Sequence, residues 1–221
     1  LPIKKHSPGK SWSKDEREVM DFFLDKMKAA PEPFLGAYFT FIPHWPYPGY
    51  NLPDRVFLKP RWGRHRYYNN LAILDKMIKQ LFDTLKQKKL LERTIVVITG
   101  DHGEAFGQHK GNFTHSRHSY NENYHVPAFF YQPKLFKPRV INHYTSHVDI
   151  LPTLLDAMGV SYNPKLIQGE SLWQKKLRRR YIFLFGNENT ISTISYRHIK
   201  LQYSYKHGRC WAYDLKRDPK E

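Results

Sequence analysis

Asp101 and His102 stand side by side after Gly100, and Glu104, His109 and His115 follow in the same short stretch, GDHGEAFGQHKGNFTH. A carboxylate beside an imidazole is a donor pair suited to a divalent cation. A cation held there would steady the oxyanion of an ester and activate an attacking group as a Lewis acid. The imidazoles further along are of the type that moves protons near neutral pH. Gly100 and Gly103 flank the pair and allow close approach of main chain with no Cβ in the way. On spacing alone, the same residues also describe a strand that ends in a solvated turn.

Such chemistry needs elements to position it. Residues 94–99 (TIVVIT) are apolar on both faces, which predicts a central strand covered by helices on each side. In open α/β sheets the ligand crevice lies beyond the carboxyl ends of the strands, so Asp101 and His102 are expected to project into it. Before this strand, Leu71, Leu74, Ile78, Leu81, Phe82 and Leu85 predict the apolar stripe of a helix over 66–91. Near the start, Ser13 and Glu16 form a capping-box pattern, with Val19, Phe22, Phe23 and Met27 at helical spacing behind it. Residues 34–41 (FLGAYFTF) read as a buried strand that enters the loop IPHWPYPGYNLPD, whose prolines oppose regular pairing. Residues 126–131 (VPAFFY) repeat the character of 94–99. Asp149 is the expected cap of a helix in DILPTLLDAMG, with Pro152 in the first turn and Gly159 as the stop. Beyond it, 181–185, 190–196, 198–205 and 210–215 are short, β-rich and separated by turns, predicting a small antiparallel sheet. The alternation of helix and strand patterns predicts an α/β fold.

Composition narrows the partners. Among 221 residues, 36 Lys and Arg oppose 20 Asp and Glu, a net charge of +16 that favours an anionic partner: a phosphate or sulfate ester, an acidic membrane surface or nucleic acid. The nucleic-acid reading rests on charge alone and has no motif behind it, so no nucleic acid is expected. One cysteine, Cys210 in GRCWAYD, excludes an internal disulfide framework and a Cys-rich metal site, and reads as a packed strand residue. The run KKLRRR at 175–180 reads as a solvated turn before a strand, or as a patch facing anionic headgroups. No run reaches the roughly 20 apolar residues of a membrane helix. The chain opens on Leu1 rather than Met, and is read as a piece of something longer, with any leader or anchor upstream.

Several segments, taken in order, carry a resemblance. ITGDHGEAFGQH is similar to the second metal-binding motif of the alkaline phosphatase and sulfatase superfamily, a strand that ends in Asp-His or Asp-Asn followed by Gly-Glu. FIPHWPY resembles the sulfatase segment in which a His before an X-Pro-aromatic step touches the anionic group of the substrate. The stretch RYYNNLAILDKMIKQLFDTLKQKKLLERTIVVITGDHGE resembles the helix-strand unit before that motif. TSHVDILPTLLDAMGV with QGESL, and WAYDLKRDPKE, resemble the "DILPTLL…GRSL" segment and the "LYDL…DPxE" close of sulfatases. Together these span about Trp12 to Glu221.

The resemblance implies an alkaline phosphatase-like sheet flanked by helices. It would be present in part over 1–175, with a small antiparallel β subregion over 176–221 packed on it. It implies Asp101 and His102 as ligands of a divalent metal ion (Ca, Mn or Zn) and His44 as a contact of the substrate anion. His115 is implied as the group that binds the anion or protonates the leaving oxygen, with His109 as the competing candidate. Lys110 and Arg117, like Arg61, are candidate anion clamps, each also readable as a solvated surface residue. His118 and His125 are read as surface or packing histidines, and Glu104 as a brace of the loop.

The family also needs a nucleophile, a Cys or Ser within C/S-x-P-x-R or a Ser or Thr, and acidic ligands from a first strand. These are expected upstream of Leu1, making the remainder of the domain a partner and this polypeptide alone catalytically incomplete. The expected function is therefore the C-terminal part of a metal-dependent hydrolase of sulfate or phosphate esters that works through a covalent intermediate. The alternatives are a membrane-anchored phosphoethanolamine- or phosphoglycerol-type transferase, favoured by His115 and the basic surface, and a catalytically silent lipid-binding module of the same fold. The resemblance places the protein outside the cytoplasm, periplasmic or secreted, with tethering through an upstream segment and an anionic membrane surface as a further partner.

Overall fold

A computed structural model describes residues 16–47, 56, 63–115, 118–174, 181–186 and 190–221. The chain divides into two compact units, Leu1–Thr94 and Ile95–Glu221. Helices and small antiparallel sheets make the mixed α/β fold expected from the sequence. No helix among the described residues is long and apolar enough to cross a membrane.

In the first unit, helix α1 (Glu16–Ala29) buries Met20, Leu24 and Met27, one stripe at i, i+4, i+7 spacing. This corrects the expected stripe: Phe22 is 61% exposed, and of the four expected positions only Met27 is buried. Ser13 lies outside the described residues. The Glu16 carboxylate accepts hydrogen bonds from the Tyr38 hydroxyl (2.9 Å), Thr40 Oγ1 (3.2 Å) and the Phe41 amide (3.1 Å). Those bonds explain the second correction. Residues 34–41 are extended, with Tyr38 and Thr40 half-buried and Phe39 and Phe41 exposed, but they form no strand. Their polar groups are satisfied by Glu16 instead of by a ladder. Helix α2 (Gly63–Gln87) packs on α1 and buries Asn70, Ile73, Met77 and Leu85, a stripe rotated from the expected one, of which only Leu85 is buried. A 3₁₀ turn, Leu91–Arg93, closes the unit, where Arg93 pairs with Glu32 at 2.7 Å.

In the second unit, strand β1 (Val96–Thr99) pairs antiparallel with β4 (Ala128–Tyr131), from Val96 opposite Tyr131 to Thr99 opposite Ala128. The expected central strand is therefore one half of a two-stranded ribbon, with Val97 and Ile98 half-buried and Thr99 exposed. Apolarity on both faces marks a strand but does not choose its neighbours. Between β1 and β4 lie a short ribbon of β2 (Ala105–Phe106) and β3 (Phe113–Thr114) and the one-turn helix α3 (Asn121–Tyr124).

Helix α4 (Ile150–Ala157) follows a 3₁₀ turn, His147–Asp149. Asp149 holds the N-cap position of α4 as expected, but its side chain makes no cap bond there; Ser146 caps the preceding 3₁₀ turn. Asp149 is the third residue of a capping box, and its carboxylate accepts the Ser146 amide at 2.8 Å. Gly159, at φ +69°, ends the helix as expected. The QGESL segment docks against this helix: the amides of Glu170 and Leu172 donate to Asp149 Oδ1 (2.9 Å) and Thr153 Oγ1 (3.0 Å). A Cβ on Gly169 would collide with the main chain of Val148, so glycine is required for this docking.

The four-stranded antiparallel sheet β5 (Tyr181–Gly186), β6 (Thr190–Ser195), β7 (Ile199–Ser204) and β8 (Arg209–Asp214) matches the expected strands closely. Ile182 and Ile194 are buried on one face, but on β7 the usual arrangement is reversed. Along β7, Ile199, Leu201 and Tyr203 are exposed, and Lys200, Gln202 and Ser204 are buried. Cys210 lies on β8 and is exposed, not packed.

Candidate active site

β1 ends at Thr99, and the chain turns outward at Gly100. The Gly100 amide donates to Pro127 O (3.3 Å), while its carbonyl is bonded by His147 Nε2 (2.7 Å). Asp101 and His102 follow at this fixed point. Asp101 Oδ1 accepts the His102 amide at 2.9 Å, which leaves Oδ2 3.7 Å from His102 Nε2. His102 Nδ1 lies 2.9 Å from the Gly103 carbonyl, an acceptor only, so Nδ1 carries the proton and the lone pair sits on Nε2. This is the tautomer-fixing contact that metal-binding histidines characteristically make. Two donors about 2.1 Å from one cation lie about 3.4 Å apart at a tetrahedral angle. Asp101 Oδ2 and His102 Nε2 therefore fit a common divalent cation with little rotation.

His115 stacks on His102, ring centroids 4.1 Å apart and planes 21° from parallel, with ligand atoms of the two rings within 4.8 Å. Its Nδ1 meets Glu104 Oε2 at 3.2 Å, and the Glu104 side chain is only 5% exposed. The carboxylate fixes the orientation of the His115 ring from its Nδ1 side. The loop brings these groups together through a backbone that only certain residues can follow. Gly107 and Gly111 take φ of +83° and +80°, and Thr114 takes +63°. Gly103 fits because a Cβ there would land on the main-chain carbonyl of Glu122. The close approach that this glycine permits is to the protein's own backbone.

His109 stands in a different setting. Nδ1 contacts Glu122 Oε1 at 2.8 Å, Nε2 contacts the main-chain oxygen of Glu221 at 2.9 Å, and the ring stacks on Tyr120 at 3.8 Å. Burial opposes its protonation, but the bonds to Glu122 and Glu221 outweigh it and raise its pKa above 6.5. Burial likewise works against the charge of Glu122, yet His109 and Asn112 hold its pKa below the usual carboxylate value.

Of the other expected residues, Lys110 is exposed at a turn, and Arg117 and Arg61 lie outside the described residues, as does the KKLRRR run. His118 packs at an angle on Tyr120 (5.5 Å), and His125 is exposed. His44, in the first unit, sits in a turn between the cis prolines Pro43 and Pro46, with its Nδ1 on the Trp45 carbonyl. Glu104 braces the loop, as expected, by gripping His115.

The sequence reading missed a buried polar cluster behind the loop. Lys200 is wholly buried; its Nζ lies 2.8 Å from both carboxylate oxygens of Glu221 and also donates to the Ser119 carbonyl. Burial pushes both groups toward their neutral forms, Lys200 down and Glu221 up, against their mutual attraction. Tyr213 is pushed up to about 12, first by burial and then by Tyr120. Lys200 gave no signal in the sequence beyond its place in an alternating strand.

Comparisons with known proteins identify the family. A profile of the Sulfatase family matches residues 4–160, more than half of the chain. Lipoteichoic acid synthase 2 of Bacillus subtilis (strain 168) is 27% identical over 184 residues, 77% of this chain and 28% of that protein. Arylsulfatase K of Homo sapiens is 34% identical over 106 residues, 48% of this chain and 19% of that protein. The chain thus spans less than a third of the length of these curated relatives. Among solved structures, a protein in the alkaline phosphatase superfamily from Vibrio parahaemolyticus superposes with a TM-score of 0.72 at 19% identity, over 98% of this chain and 51% of that one. By the profile match the chain belongs to the sulfatase family, and it shares the fold of that alkaline phosphatase superfamily protein.

Proposed function

We propose that this chain carries the Asp-His metal-binding part of an enzyme that cleaves sulfate or phosphate esters through a covalent intermediate, the attacking group coming from another stretch of the full-length protein. The supporting observation is the arrangement at the end of β1: Asp101 Oδ2 and His102 Nε2 3.7 Å apart, with His115 stacked beside them and held by Glu104. In this reading Asp101 and His102 hold a divalent cation, which when bound supplies positive charge to the ester oxyanion. His115, with Nδ1–H on Glu104, uses Nε2 to bind the anion or to give a proton to the departing ester oxygen. His44 is proposed, from the resemblance alone, as an anion contact. The net charge of +16 suits an anionic substrate and an anionic membrane surface, and the family reading places the work outside the cytoplasm.

The test is hydrolysis of 4-nitrophenyl sulfate and 4-nitrophenyl phosphate by the full-length protein with Ca, Mn or Zn, together with its Asp101→Ala variant. Cation-dependent turnover that the variant loses supports the reading. Turnover unchanged by chelation and by Asp101→Ala overturns it.

The longer alignment, with lipoteichoic acid synthase 2, favours a second reading: the same groups pass a phosphorus-containing head group to an acceptor hydroxyl instead of water. A phospholipid substrate with a polyol acceptor separates the two, because transfer yields a modified acceptor whereas hydrolysis yields free head group.

A further inference from the structure

The His102–His115 stack is carried by a loop with few apolar anchors, so its geometry needs another source. Hydrogen bonds supply a continuous one. The Lys200 ammonium grips Glu221 (2.8 Å), whose main-chain oxygen meets His109 Nε2 (2.9 Å); His109 Nδ1 meets Glu122 (2.8 Å). Asn112 Nδ2 donates to Glu122 Oε1 and to Asn123 Oδ1, both at 2.7 Å. Asn123 then ends the path on the two ring-bearing segments. Its Nδ2 donates to the carbonyl of Thr114, next to His115, at 3.1 Å, and its carbonyl accepts the amide of Gly103, next to His102, at 2.8 Å. Asn112 and Asn123 are wholly buried, and Lys200 and the Glu221 side chain are fully covered. Such a path is costly to leave half-satisfied, so its members hold one another in place.

We propose that Lys200, from the C-terminal sheet, is a positioning residue for the His102–His115 pair, acting through Glu221, His109, Glu122, Asn112 and Asn123. The inference deepens the proposed function, since it names what aligns the groups that bind the cation and the anion. It also explains why β7 buries a lysine: its inner face is a polar anchor for the loop. A chain of contacts amounts to coupling only if breaking the far end moves the near end.

The experiment uses the full-length protein with ¹³C-labelled histidine in a deuterated background and reads the cross-relaxation between the ring protons of His102 and His115. The variant is Lys200→Met/Glu221→Gln, which removes both buried charges together. Ile73→Val, a core change on α2 in the first unit and no member of the path, is the control. The expected result is loss of the ring contact and a roughly 10-fold or greater fall in kcat with KM nearly unchanged. Both should remain normal in the control at equal thermal loss. A ring contact retained in the folded double variant overturns the proposal. If that variant does not fold, Asn123→Ser cuts the path beside Thr114 and carries the same two outcomes. The ring contact is read without turnover, so even a protein that cleaves no ester, against the proposed function, would still show whether Lys200 aligns the two rings.

Discussion

His115 and His109 lie six positions apart on one loop, yet the regions around them use the imidazole in opposite ways. Around His115 and His102, Nδ1 of each ring meets an oxygen, of Glu104 or of Gly103, and the two imidazoles stack on each other. Around His109, both nitrogens are consumed by Glu122 and Glu221, and the ring is stacked against Tyr120. A histidine that does chemistry needs one nitrogen held and the other available; one that holds a fold has both engaged. In the proposed function chemistry falls to His115 and architecture to His109, a contrast that can be broken at several points.

The largest effect is expected at Lys200. Lys200→Met alone leaves the Glu221 carboxylate buried without its cation and should cost about 3–5 kcal/mol, read by urea unfolding, whereas the double variant with Glu221→Gln should recover much of this. Next, Asp101→Ala should lower ester turnover about 100-fold or more while the melting temperature stays nearly constant, because the side chain is exposed. Glu104→Gln should lower kcat about 10-fold to 100-fold by freeing the His115 ring, and His109→Gln should leave kcat much closer to wild type. An equal kcat loss in these two variants would erase the contrast.

The smallest effect lies in pH. His109 binds its proton more tightly folded than unfolded, so the stability it adds is full below pH 6.5 and is lost as the pH rises through its raised folded pKa. Glu122 is the mirror case: its contribution is present above pH 4.5 and is lost as the pH falls through its lowered folded pKa. The pair should therefore be strongest between about 4.5 and 6.5. His109→Gln should flatten the alkaline side of a melting-temperature profile, and an unchanged profile would remove His109 from its structural role.

Elements set by local chemistry were legible in the sequence: the Gly159 helix stop, the four C-terminal strands, and Asp101-His102 at the end of an apolar run. What depended on distant partners was not. Residues 34–41 have the alternation of a strand, but Glu16 takes the bonds that a ladder would have taken. In IKLQYS, β-rich composition marked the strand but not its buried face, because an apolar-inward rule cannot anticipate that Glu221 and Ser119 will receive a lysine. Choosing between His109 and His115 required knowing what stands at Glu122 and Glu221, far along the chain.

The reversed faces of β7 have a consequence for how the unit opens. Phe183, Phe185, Leu201 and Tyr203 already meet solvent, and the covered face is mostly polar: Lys200 and Ser192, which bond Ser119 of the loop, with Gln202 and Ser204, beside only Ile182 and Ile194. Denaturant sensitivity and heat capacity follow the surface newly exposed, with apolar area raising the heat capacity and polar area lowering it. Lifting this sheet off the loop would thus leave only a faint mark on a calorimetric trace. Amide hydrogen exchange at Gly103 and Asn112 would register it directly, as a motion that calorimetry passes over.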